Sequence, residues 1–268
     1  MIDLHMRSKY SDETDKTPTE IVMEGMKRGI TVQSLIDDNC GAGNREAVGA
    51  AQKLGVFYIP GIALSSTFEG RTVKVLGYEI PYDYEDFDRL DQEADNVEYA
   101  ASLERLCRTQ ELGFTVTEKD MWELAANRHH PGNWTGRMFA QVLLRKEKHI
   151  CDSLLRGYEE ESGDTWNACE KSEGTLDTCE KLSRILYSRE GLCYVRPAYP
   201  DLREIINLIH KSGGVAVISC ENEEIVRLKK SMGNLIRYGI DYMETSKHHY
   251  VQVNSGSHAL TQIQSIFG

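Results

Sequence analysis

Short apolar runs alternate with helix-length amphipathic segments through much of this chain, and that alternation constrains the fold more than any other feature. Ile2 to His5 reads as a short strand. Residues 17–29 (TPTEIVMEGMKRG) follow as a helix that Thr17 can cap, Pro18 can start and Gly29 can stop. Residues 30–36 (ITVQSLI) read as a strand, 44–55 (NREAVGAAQKLG) as a helix ending at Gly55, and 56–64 (VFYIPGIAL) and 71–80 (RTVKVLGYEI) as two further strands. The rhythm returns at 201–220 (DLREIINLIHKSGGVAVISC), a helix, a Gly213–Gly214 turn and an apolar strand, then a helix over 223–232 and a strand from Ile240 to Thr245. Repeated strand–helix units of this kind imply a parallel sheet or barrel.

Between about Pro81 and Arg189 the texture changes. Residues 82–113 read as one long charged helix, all three tryptophans (122, 134, 166) follow, and strand-like runs are scarce, so this stretch is expected to be a mostly helical insertion. The helix over 84–112 is a candidate packing or oligomer element. The acidic run at 158–164 (YEEESGD) reads as a solvated loop, and RHHPGNW at 128–134 as a surface turn in preference to a metal site, because adjacent histidines in extended chain point to opposite faces and rarely ligate one ion.

Charge and cysteine usage exclude some functions. A formal charge of -11 argues against a general nucleic-acid surface, since phosphate backbones repel an acidic protein, so any polyanion site must be a local cationic pocket. The sequence contains no run of 18 apolar residues, and Asp3, His5 and Arg7 interrupt the start, so a soluble, cytoplasmic protein with no membrane partner is expected. Seven scattered cysteines without a CxxC pair fit reduced thiols better than disulfides or a zinc finger.

In parallel α/β folds the chemistry gathers at the carboxyl ends of strands. The residues there are His5, Arg7 and Asp12; Asp37, Asp38 and Asn39; Ala63 to Ser66; Lys74; Cys220 and Glu221; and Lys247, His248 and His249. The segments that carry them are DLHMRSKYSDE, SLIDDNC, IPGIALS, VKVLGY, GGVAVISCE and GIDYMETSKHH. In composition and order these six resemble the motifs DLHxHSxxSDG, ALTDHDT, IPGIELS, VHILGY, GGVAVLAHP and GIEVYSSHH of the PHP (polymerase and histidinol phosphatase) family. That resemblance implies an α/β fold: a distorted (β/α)7 TIM-like barrel formed by 1–80 and 190–268, with 81–189 as a helical cap over the strand-end pocket. In the insertion GNWTGRMFAQVLL is similar to the family's RPHIA segment, which would bring Arg137 to the substrate phosphate.

The family's motifs supply His, Asp and Glu ligands for two or three divalent ions that bind phosphate and activate water. Here His5, Asp12 and Asp37 stand at matching positions. Arg7 replaces the second histidine of the opening motif, Asp38 the histidine of TDH, Ala63 the bridging glutamate, Lys74 the histidine of VHILGY and Cys220 that of LAHP; the terminal GSDFHG has only SGSHA, with Ser257 in the aspartate's place and His258 displaced. Arg and Lys offer donors and no lone pair, and a fixed positive group repels divalent ions. The expected cofactor is therefore none, or a single divalent ion (Mg, Mn or Zn, with oxygen ligands favouring Mg or Mn) held by His5, Asp12, Asp37 and Asp38, in place of a multi-metal cluster.

Each residue also has a plainer reading. His5 could be a satisfied core histidine, Asp12 a turn residue, Asp37 and Asp38 loop carboxylates, and Cys220 a small buried hydrophobe. Arg7 and Lys74 could be solvated or paired with Asp12 or Asp38. The functional expectation is that Arg7, Lys74, Arg137 and His248 bind phosphate, so that the chain takes a phosphorylated small molecule or nucleotide without efficient hydrolysis, or serves as a regulatory module. The alternative is an active phosphoric ester hydrolase with a single-metal site.

Overall fold

A computed structural model describes residues 1–162, 178–219, 227–246 and 249–253. The chain divides into two compact units, one of Met1–Ala94 with Ala198–Gly268 and one of Asp95–Pro197.

The first unit starts with β1 (Ile2–Met6), α1 (Pro18–Lys27), β2 (Val32–Leu35), α2 (Gly43–Leu54) and β3 (Phe57–Tyr58). Its three strands pair in parallel in the order β1-β2-β3. Thr17 caps α1 as expected: its hydroxyl accepts from Glu20 N while Glu20 Oε2 accepts from Thr17 N at 2.8 Å. The expected strand over 56–64 is broken at Ile59–Pro60, where proline has no N–H to give a ladder, and β4 (Gly61–Phe68) begins beyond it.

β4, β5 (Arg71–Tyr78), β6 (Val215–Ser219), β7 (Tyr242–Ser246) and β8 (His249–Gln252) form a second sheet in that order. Only β6–β7 is parallel in it; β4–β5, β5–β6 and β7–β8 are antiparallel. The departure from an all-parallel expectation starts at Glu69 and Gly70, whose φ values of 48° and 74° make a two-residue hairpin with no room for a crossover. α8 (Leu202–Lys211) and α9 (Met232–Tyr238) complete the unit. The first part of the helix expected over 223–232 lies outside the described residues.

Period-two alternation sorts the second sheet's side chains. Ile62, Leu64, Val73, Val75, Ala216 and Ile218 face α8 and share a core with its Ile205, Ile206 and Ile209. The opposite face gives Ala63, Leu76, Val217 and Tyr242, which are successive register partners, to a core that also holds Leu4 and Ile36 from the first sheet's side. Each fully buried Leu, Ile or Val in these layers contributes about 1.5–3 kcal/mol. The two sheets also meet at an isolated parallel bridge between Asp38 and Ala63.

α3 (Glu85–Glu111) carries Glu85, Asp86 and Asp88 in its first turn, favourable to a helix N-terminus. The second unit contains, among the described residues, helices and no strand: the rest of α3, α4 (Glu118–Ala125), α5 (Gly136–Lys146), α6 (Lys148–Ser162) and α7 (Thr178–Tyr187). Its core gathers on Trp134, Phe139, Val142, Leu143 and Leu182. No disulfide forms among the described cysteines, 40, 107, 151, 179 and 193, and no helix of the described residues is long and apolar enough to cross a membrane.

Candidate functional site

The candidate site begins one step along the strands from the apolar layer. Two residues beyond Ala63, Val217 and Tyr242, and two before Leu76, the register brings Ser65, Lys74, Ser219 and Glu244 opposite one another in sequence across β4 to β7. Partners in register share a face, so a polar layer lies next to the apolar one, about 6.6 Å on.

β1 adds His5 to this layer through an irregularity. The β1–β2 register shifts between Asp3 and Met6, a bulge that lets Leu4 enter the inner core while the adjacent His5 also turns toward Glu244. Met6, next in line, packs with Val22, Leu35 and Ala47 beside α1 and α2. His5 Nδ1 lies 3.0 and 3.1 Å from the two Glu244 oxygens, and Ser219 Oγ donates to Glu244 Oε2 at 3.0 Å. Burial raises the Glu244 carboxyl, but the hydrogen bond and charge of His5, with the donors Ser219 and Tyr250, outweigh it and hold the group below its ordinary range.

Arg7 and Lys74 meet at a single atom. Arg7 Nη1 is 2.6 Å and Lys74 Nζ 2.7 Å from Asp38 Oδ1, with side-chain exposures of 16% and 35% against 30% for the aspartate. Burial pushes the Asp38 carboxyl up, yet the charges of Lys74 and Arg7 and the hydrogen bond from Lys74 bring it below its usual range. With two cations against one carboxylate, the trio is one charge positive.

Asp37 behaves differently from its neighbour. Its side chain is 2% exposed, Oδ1 accepts from Ser8 N at 2.6 Å and from Ser11 Oγ at 2.8 Å, and Oδ2 accepts from Ser8 Oγ at 2.6 Å. These bonds fix the 3-10 turn Lys9–Ser11, which Asp12 closes in the left-handed region at φ 59°. Asn39, also left-handed at φ 54°, ties the second strand end to β4: its N–H donates to Ala63 O and its Oδ1 accepts from Ser65 N, both at 2.7 Å.

The structure thus brings together His5, Arg7, Asp38 and Lys74, with Asp37 enclosed behind them. Ala63 is fully buried in the apolar layer. Arg137 lies on α5 of the second unit, where its guanidinium donates to Glu180 Oε2 at 3.0 Å. His248, Cys220, Glu221, Lys247, Ser257 and His258 lie outside the described residues. Glu244, Ser219 and Tyr250 were missed in the sequence. The available signal was a lone carboxylate two places after Tyr242 in an apolar strand, since inward positions recur every second residue.

No family model matches the chain. Among curated relatives it is 37% identical over 75 residues to a 5'-3' exoribonuclease of Haemophilus influenzae and 34% identical over 79 residues to a 3',5'-nucleoside bisphosphate phosphatase of Chromobacterium violaceum. These matches cover 28% and 30% of this chain and 27% of each relative, so the similarity spans about a quarter of their length. Among solved structures, an amidohydrolase from Chromobacterium violaceum, with bound sulfate and no metal, superposes with a TM-score of 0.63 at 19% identity, covering 90% of this chain and 75% of that one. A protein of Bifidobacterium adolescentis assigned as a metal-dependent phosphoesterase gives 0.55 at 19% identity, over 90% and 76%. The chain shares its fold with these two structures, which is consistent with the resemblance carried by the six segments.

Proposed function

We propose that this PHP-like chain binds a phosphorylated small molecule or nucleotide through Arg7 and Lys74 and does not hydrolyse it efficiently. The observation that carries this reading is the convergence of two cationic side chains on one anionic oxygen, at positions where the resembling family places metal-binding histidines. A guanidinium and an ammonium on one point are suited to hold a phosphate oxygen. The sulfate in the metal-free structure of a protein with this fold supports a tetrahedral anion as ligand. Arg137 and His248 are proposed as further phosphate contacts on the resemblance alone. The same resemblance underlies our reading of the two sheets as a distorted (β/α)7 barrel and of 81–189 as its cap.

In our reading the strand-end residues are poorly suited to a family-type cluster of divalent ions. Ala63 offers a methyl group where a bridging carboxylate would be needed, both Asp37 oxygens accept from Ser8 and Ser11, and Arg7 and Lys74 bring positive charge to Asp38. We derive no step through such a cluster.

One observation favours the alternative, an active hydrolase with a single ion. Glu244 backs His5 Nδ1, the arrangement that orients a ligating histidine so that its other nitrogen faces a metal. In that reading Asp12, Asp37 and Asp38 would complete the ligand set, and the ion would polarise the ester and activate water. Elemental analysis of purified protein, followed by a phosphatase assay with added Mn, separates the two. The main reading expects substoichiometric metal and no turnover above buffer, and one or more bound equivalents per chain together with turnover would overturn it.

A further inference from the structure

We infer that Asp38 is a built-in competitor for the ligand phosphate, and that it makes the site selective for doubly charged phosphate monoesters over singly charged phosphodiesters. The inference rests on the reading of Arg7 and Lys74 as phosphate contacts and goes beyond it. Both cations meet the same atom, Asp38 Oδ1, at 2.6 and 2.7 Å, so the place where a phosphate oxygen would sit between them already holds an anionic oxygen. The aspartate side chain is 30% exposed, so a ligand from solvent can reach it and the carboxylate has water to turn toward.

A backbone anchor makes this exchange local. Asp38 N donates to Ser11 Oγ at 3.0 Å, the residue takes part in the bridge with Ala63, and the neighbouring Asn39 N donates to Ala63 O. The main chain is thus fixed on both sides, and only the side chain need rotate for a ligand to enter.

Charge then sets the selectivity. A phosphodiester carries one negative charge, as the carboxylate does, so replacing one by the other gains no attraction to the two cations. A phosphate monoester carries about 1.5 to 2 negative charges at neutral pH, so the same replacement is favourable. Two donors of different shape suit this exchange, because a guanidinium can meet two phosphate oxygens as a fork while an ammonium follows a moving oxygen.

Isothermal titration calorimetry of chelator-treated protein at pH 7.5 tests the inference, with adenosine 5'-monophosphate as the monoester and cyclic adenosine 3',5'-monophosphate as the diester. Wild type is expected to bind the monoester at least tenfold more tightly than the diester. In Asp38→Asn the monoester is expected to bind at least tenfold more tightly than in wild type, and the diester to gain measurable affinity. Asp38→Ala and Asp38→Ser, checked for folding by circular dichroism, repeat the measurement should the asparagine variant not fold.

Unchanged or weaker monoester binding in folded Asp38 variants, with wild-type binding that Arg7→Ala abolishes, would overturn the competitor role and leave the phosphate reading standing. Equal wild-type affinity for the two nucleotides would overturn the selectivity. Absence of binding in wild type and in every Asp38 variant would overturn both the inference and the reading beneath it.

Discussion

At the scale of single residues, Asp37 and Asp38 are neighbours with separate work. Asp37 is enclosed, and its oxygens accept from one backbone and two hydroxyl donors of the 3-10 turn. Asp37→Ala leaves the buried Ser8 and Ser11 donors without that acceptor, an expected loss of about 3 kcal/mol, read as a fall in thermal midpoint of about 6 to 12 °C. Asp38 and Glu244 both have folded-state carboxyl groups held below the ordinary range, Asp38 by two cations and Glu244 by His5 and hydroxyl donors, in each case against the cost of burial. A group with a depressed folded pKa contributes stability that is present above its unfolded pKa, near 4, and is lost as pH falls from there through the folded value. Acid unfolding of the wild type should therefore steepen below about pH 4. Glu244→Gln should make stability less dependent on pH in that range, and an unchanged acid limb would contradict the assignment. This pairing was only partly legible in the sequence. Arg7 was marked by its place after the first apolar run and Lys74 by the VKVLGY segment, and Asp38 was among their candidate partners, but Ser8 and Ser11 lie 29 and 26 positions from Asp37 and give no local sign that they bind it.

At the scale of elements, the β4–β5 hairpin determines which side chains reach the site. It pairs Ser65 with Lys74 and Ala63 with Leu76, so a slip of one residue would turn Lys74 away from Asp38 and put Val73 or Val75 in its place. The turn depends on positive φ at Glu69 and Gly70, and Glu69 is further tied to α9 because it accepts from Ser231 Oγ at 2.7 Å and Asn234 Nδ2 at 3.0 Å. A β-branched residue at Gly70 disfavours φ 74°. Gly70→Val is expected to cost about 1–2 kcal/mol in urea unfolding, and a loss below 0.3 kcal/mol would show that the turn does not hold the register. Two adjacent strand-like runs with a Glu-Gly pair between them could have been read as a hairpin. The strand–helix rhythm elsewhere favoured a parallel reading, and it holds for β1-β2-β3 and for β6–β7. The bulge that turns His5 inward had no sequence signal, because it follows from how β1 meets β2.

At the scale of the whole molecule, the sequence placed an α/β core around a helical stretch, and six ordered segments gave a resemblance that the solved structures support at the level of fold. What it could not supply was the stacking of a polar layer on an apolar one. That stacking emerges only when four strands are set in register, bringing Glu244 to His5 from 239 positions away. The proposed anion affinity of this layer comes from side-chain cations, and its most direct test is titration of inorganic phosphate into metal-free, chelator-treated protein, for wild type and for Arg7→Ala with Lys74→Ala. Wild type is expected to bind phosphate without metal, and the folded double variant to lose at least tenfold in affinity. Phosphate binding that appears only after Mn is added, and that survives in the double variant, would contradict it.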